Sequence, residues 1–281
     1  MNPRMLPYMF ILPVTLFLCL FFLYPFVLVA GQAFTTPAGI SFDNFREVIA
    51  YWKFPVSLRN TLLLAVIVVP VQLALSLLMA TMVNRMQAGR DLVLYVWTIP
   101  LGISDLAAGI VWLAIFEQSG FLNSLMVGVG LVDKPVALLG YQNPVLVFVA
   151  IAMAEIWRAT AIMLVILVAG MGLIPKEYYE AAEVFGASPW KRFLKITLPM
   201  LRPSLQTALI LRVVLAFEVF AVVVALGGSL YPVLMSQIYS YQFDLQNSSA
   251  AAALALIVLA ISIVFTLVIL RVLRVPKGAT I

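Results

Sequence analysis

Histidine is absent, and cysteine occurs once, at Cys19. Those two facts exclude His-ligated metal centres, histidine general-base chemistry and an intrachain disulfide. Charge is scarce as well: 10% of the 281 residues are charged, against roughly 25% in a soluble domain. A chain this poor in charge cannot cover a globule with hydrated surface, so lipid must be its solvent. No GxxxxGK[ST] phosphate loop is present, so the chain does not itself hydrolyse ATP. No aspartate pair or other catalytic cluster lies near an interface, so no catalytic residue and no metal ligand is assigned. There is no internal repeat and no low-complexity segment. The net charge of +5 does not read as nucleic-acid binding, because the positive residues sit beside apolar runs.

Those apolar runs make up most of the chain, which is 64% hydrophobic. The expected fold class is all-α: a polytopic membrane protein with six transmembrane helices in a single domain over residues 1–281. The spans are expected near 8–32, 58–83, 92–115, 145–170, 203–226 and 250–272. Each must be helical, because backbone N–H and C=O groups cannot stay unpaired in hydrocarbon. Pro55, Pro144 and Pro203 mark span edges, whereas Pro70 and Pro100 lie inside spans and predict kinks. The stretch from Met5 to Phe42 has no charge and exceeds a signal-peptide core, so it reads as an uncleaved first span.

Orientation follows from lysine and arginine. With both termini in the cytoplasm, 11 of the 17 basic residues fall on inner segments and four on outer ones. Arg158 and Arg212 fall within spans. This bias favours a multi-pass cell-membrane protein with cytoplasmic ends. The outer loops are 33–56, 117–144 and 227–249. The inner loop 171–202 is the longest charged stretch, and a long loop in a compact protein usually has a task.

In that loop, Pro175 suits a first helical position, and Glu177 and Glu180 suit the positive end of a helix dipole. Gly186 suits a left-handed C-terminal cap. Ser188-Pro189 suits an N-cap and first position of a second helix, which Pro199 is expected to stop. Ala181 and Ala182 form a small-residue face that lets a partner approach closely, with Glu180 and Glu183 beside it. Two readings stay open on the residues alone: a docking face for another protein, or an interfacial helix lying on lipid.

Asp105, Glu155, Arg158, Arg212 and Glu218 lie at membrane depth, where each costs roughly 2.5–3.5 kcal/mol unless it meets a partner or a wet cavity. Glu155 and Arg158 are neighbours on one helix face. Arg212 and Glu218 are too far apart in register to pair, so a cross-helix pair of Arg212 with Glu155 or Asp105 is expected. Trp112, Trp157, Phe217 and Phe220 accompany them. Two roles are open: locks between helices, or the lining of a substrate path.

The loop resembles the EAA loop of ABC-transporter permeases. The resemblance covers Glu180, Ala181, Ala182, Gly186, Ala187, Phe193, Ile196, Leu198, Pro199 and Pro203, with Phe185 standing where many members have Asp. It extends to Leu58-Arg-Asn-Thr-Leu62, to Phe116-Glu-Gln-Ser-Gly-Phe-Leu-Asn123, to Trp157-Arg158 and Ala169-Gly170, and to Phe217-Glu-Val-Phe220 with Gly227-Gly228. On those residues the chain is similar to the maltose-type subunit of binding-protein-dependent carbohydrate importers. The resemblance implies a type I importer permease fold and an ATP-driven carbohydrate importer, for a sugar, oligosaccharide or related polyol. It implies a second related permease, two ATP-binding subunits that hold ATP and Mg, and an external solute-binding protein. No cofactor belongs to this chain. The resemblance assigns ATPase coupling to Glu180, Ala181, Ala182, Gly186, Ser188 and Pro199. It assigns the substrate path to Asp105, Trp112, Glu155, Arg158, Arg212, Phe217 and Glu218, with Asp105, Glu155 and Glu218 favoured. The alternative is a secondary transporter or channel working without an ATPase. It would need no capped cytoplasmic loop and should show repeat symmetry, which is absent.

Overall fold

The structure is a computed structural model and describes residues 6–274. Arg4 and Lys277, two of the inward-reading charges, lie outside the described residues, as do both chain ends. Among the described residues, five helices are long and apolar enough to cross a membrane: Tyr8–Phe34, Phe54–Asn84, Asp105–Gly128, Pro144–Gly172 and Ser248–Val272. A sixth crossing is supplied by a pair, Pro189–Met200 and Arg202–Phe217, bent by 69°.

Contacts divide the chain into two compact units. One holds the chain up to Pro55 together with Ser236–Ala260, and the other holds Val56–Met235 together with the chain from Ile261. In the first unit, a short hairpin pairs Thr35 with Ile40 and Thr36 with Gly39. The Asp43–Ala50 helix follows it, tied down by Asn44, whose amide donates to the carbonyls of Ala33 and Thr35. Ala33, Ala252 and Ala253 pack with Phe34, Phe45 and Leu256. The Tyr8–Phe34 helix presents mostly apolar side chains, and none of its most apolar stretch is buried. In the second unit, the Pro144–Gly172 helix is the axis, with 61% of its apolar window buried. Phe54–Asn84 and Arg202–Phe217 pack against it along most of their length, and Ile151, Leu164 and Leu167 are fully enclosed.

Prolines shape these helices in a consistent way. Three π-bulges, Cys19–Leu23, Leu64–Val68 and Phe193–Thr197, are followed by Pro25, Pro70 and Pro199. A proline lacks an N–H and crowds the carbonyl four residues earlier. That carbonyl belongs to Phe21, Val66 or Lys195, each inside its π-bulge, so the wider turn absorbs the clash without ending the helix.

Four expectations are corrected. The stretch 92–115 is not one helix. Arg90–Thr98 gives way to a 3₁₀ turn at Ile99–Gly102 around buried Pro100, and a new helix, Asp105–Phe116, begins. Ser104 caps that helix, its Oγ accepting from the Ala107 N–H at 3.2 Å, so Pro100 breaks the chain where a kink was expected. The stretch 203–226 is also split, into Arg202–Phe217 and Ala221–Leu226, with Glu218 at the C-terminal cap of the first. Pro199 does not stop the second loop helix, since the π-bulge before it carries the helix on to Met200 and the turn comes at Leu201. Finally, Pro175 is the N-cap, one position earlier than expected, and Lys176 opens the helix.

Candidate functional site

The 171–202 loop folds as two short helices joined at a glycine. Lys176–Val184 ends in Phe185, then Gly186 turns left-handed at φ +70°. The Ala187 N–H donates to the Ala182 carbonyl and the Gly186 N–H to the Glu183 carbonyl, both at 2.9 Å. That pair of bonds is a Schellman cap, which a residue with a Cβ forms only with strain. Ser188 then caps the next helix: its Oγ accepts from the Lys191 N–H at 3.4 Å, and Pro189 occupies the first turn. The two helices are clamped by Glu183–Arg192 at 3.3 Å and by a 3.0 Å hydrogen bond between Tyr179 and Thr197.

Glu180 and Ala181 are exposed on this frame, and Ala182 is partly covered. Tyr178, Val184, Phe185 and Trp190 are exposed as well, with Phe185 at 88%. An acidic helix carrying bare Val and Phe at its tip is poorly suited to anionic headgroups and well suited to a protein cleft.

A second constellation lies in the packed helices. Arg212, 1% exposed, donates from Nη2 to Glu155 Oε2 at 2.7 Å and from Nε to Gln72 Oε1 at 2.6 Å. Gln72 in turn donates to the Glu155 backbone carbonyl at 2.7 Å. Arg158 Nη1 lies 2.8 Å from Asp105 Oδ1, and its Nη2 lies 3.9 Å from Glu155 Oε1. Two guanidiniums and two carboxylates thus form a neutral chain across three helices, and Gln72 joins it from a fourth. This is the arrangement that makes burial of such charges tolerable. The Asp105 side chain is 44% exposed, whereas that of Glu155 is 1% exposed, so the chain runs from an open end to a sealed one.

Asp105, Glu155, Arg158 and Arg212 are therefore brought together. Trp112 stands nearby, edge-on to Trp157 at 6.2 Å and stacked on Phe116 at 5.9 Å. Phe217 and Glu218 are not part of the group: Phe217 is buried against Phe265 at 5.2 Å, and Glu218 is exposed at the helix break. Gln72 was missed from the sequence. Its signal was a lone amide inside an otherwise apolar run, Val66–Leu75.

The remaining sequence signatures have structural reasons. Asn123 exchanges hydrogen bonds with Val136 at 2.9 Å in both directions and pins the 117–144 loop. A Cβ on Gly120 would meet the Ala114 carbonyl at 2.6 Å. Asn60 donates to the Pro232 carbonyl, and Thr61 Oγ1 accepts from the Leu234 N–H, so the Leu58–Leu62 motif fastens the 231–235 segment.

The family model described as "Binding-protein-dependent transport system inner membrane component" matches residues 72–274, more than half of the chain. The chain belongs to that family. The match includes both the loop and the ionic chain built around Gln72, Glu155 and Arg212. Among relatives, the probable ABC transporter permease protein YesP of Bacillus subtilis is 32% identical over 85% of this chain and 78% of its own. The trehalose/maltose transport system permease protein MalF of Thermococcus litoralis is 31% identical over 84% of this chain and 80% of its own. A bacterial alginate ABC transporter, solved with an alginate pentasaccharide-bound periplasmic protein, has a chain of the same fold. Its TM-score is 0.83 at 23% identity, over 96% of this chain and 94% of that one. This permease is therefore a multi-pass transport subunit with the type I importer fold.

Proposed function

We propose that this permease is the membrane-crossing subunit of an ATP-driven carbohydrate importer, moving a sugar, oligosaccharide or related polyol inward by alternating access. The observation that carries the reading is the exposed, Schellman-capped loop helix. A well-ordered acidic helix whose tip is bare Val184 and Phe185 needs a protein partner. Relatives named for trehalose, maltose or alginate transport support the substrate class. The partners are a second related permease, two ATP-binding subunits that hold ATP and Mg, and an external solute-binding protein. Both termini are cytoplasmic in this reading.

Glu180, Ala181 and Ala182 form the docking face, and Gly186, Ser188 and Pro199 fix the angle at which movement of the ATPase reaches the Arg202–Phe217 helix. The Glu183–Arg192 and Tyr179–Thr197 ties make the two loop helices move together. On the transport side, Asp105 and Trp112 face the path, with hydroxyl-accepting carboxylate and apolar ring suited to a sugar. Glu155, Arg158 and Arg212 hold Asp105 in place.

The test is reconstitution with co-purified ATP-binding subunits. ATP hydrolysis should rise when sugar-loaded binding protein is added, and the rise should vanish when the docking face is altered at Glu180→Lys. Uptake that persists without any ATP-binding subunit would instead identify a secondary transporter.

A further inference from the structure

The ionic chain and the loop tip leave one feature unused, two adjoining cavities beneath the loop. The first is an apolar groove of about 580 Å³. On one side it is walled by Ala74, Leu77, Leu78 and Met82 of the Phe54–Asn84 helix, on the other by Trp190 and Phe193. The helix positions recur at three and four, so they form one stripe, and Arg85 ends that stripe one turn further on. Leu78, Met82 and Trp190 are all more than half exposed, so the groove opens sideways. The second cavity, of about 380 Å³, shares Thr81, Arg85, Pro189 and Phe193 with the first and adds polar lining: Asn84, Arg192, Tyr179 and Thr197.

The two cavities divide by chemistry. The groove is mostly hydrocarbon, with Thr81 and Arg85 at its end, and the adjoining cavity offers the guanidiniums of Arg85 and Arg192. Arg192 is occupied in part by Glu183, while Arg85 has no carboxylate partner among the described residues. Trp190, stacked on Phe193 at 5.7 Å, marks the level at which an indole sits between hydrocarbon and water. A hydrophobic slot ending at one arginine without a carboxylate partner and one only partly paired, on the positively charged side of a membrane protein, matches one molecule by charge and by shape. That molecule has an acyl chain and an anionic phosphate headgroup.

We propose that this groove holds an anionic phospholipid of the cytoplasmic leaflet, its acyl chain between the Phe54–Asn84 helix and Trp190, and its phosphate against Arg85 and Arg192. Arginine binds such a phosphate through paired N–H donors, which lysine cannot reproduce. The site lies directly beneath the loop assigned above to ATPase coupling. A lipid there would brace the Pro189–Phe193 turn from below.

The experiment uses the complex purified with its partner subunits in nanodiscs containing equal phosphatidylglycerol and phosphatidylcholine, followed by native mass spectrometry of retained lipid. Wild type should retain phosphatidylglycerol selectively. Arg85→Gln should lower that retention about fivefold. Leu78→Trp, which fills the slot at an exposed position, should lower it without altering headgroup preference. Soluble glycerol phosphate should fail to displace the lipid. Equal retention in wild type and both variants would overturn the proposal. So would displacement by soluble glycerol phosphate, which would mean an anion pocket alone. A photo-crosslinker at Leu78 that captures the second permease in place of lipid would overturn it too, by making the groove a subunit interface. Because retention is read without ATP hydrolysis, loss of coupling and loss of lipid are distinguishable.

Discussion

Glu155→Ala removes the carboxylate that faces Arg212 and leaves a guanidinium that is 1% exposed with Gln72 as its remaining partner. Arg158 stays nearby, so the cluster passes from neutral to one net positive charge, with Asp105 the only carboxylate left. Breaking a buried pair from one side costs about 3–5 kcal/mol. At about 1.4 kcal/mol per factor of ten, that is two to more than three orders of magnitude in the folded population. The apolar replacement of both partners, Glu155→Leu with Arg212→Met, removes the stranded charge. It leaves one unmet acceptor, Gln72 Oε1, which costs about 1–3 kcal/mol. The double variant should therefore be more stable than Glu155→Ala alone. The assay is thermal unfolding of purified complexes in detergent, read by intrinsic fluorescence, beside uptake in vesicles. If the two changes add independently, or if Glu155→Ala keeps the wild-type melting temperature and loses only uptake, the ionic chain is not a helix lock. The carboxylate would then belong to the transport path itself.

Gly186→Val places a β-branched residue at φ +70°, at roughly 1–2 kcal/mol of strain. Binding-protein-stimulated ATP hydrolysis should fall while membrane insertion is unchanged. Glu180→Lys alters only an exposed face, so it should spare stability and weaken ATPase co-purification. Asn123→Ala removes both Val136 hydrogen bonds, and the 117–136 loop should become more accessible to protease added outside. In a chain with Cys19→Ser, a cysteine at exposed Ser119 should react with an impermeant reagent in intact cells, and one at exposed Ala88 only after lysis. The reverse pattern would invert the topology.

The sequence alone determined what depended on composition and local chemistry. Apolar runs of spanning length require helices, because hydrocarbon leaves no other partner for backbone groups. The Gly186 and Ser188-Pro189 caps were legible because capping is decided within a few residues, and both occur where expected. The pairing of Arg212 with Glu155 was one of two options, since charge balance demands a partner but does not name it. Tertiary structure decided the rest. The breaks at Pro100 and at Glu218–Phe220 were hidden because hydropathy averages over a helix and a turn of equal greasiness alike. That Pro70 and Pro199 are carried within their helices by π-bulges could not be read from the prolines alone. Gln72 and the groove ending at Arg85 became visible only when segments distant in sequence were brought side by side. A polar atom in a span declares that it needs a partner, and only packing selects which one it receives.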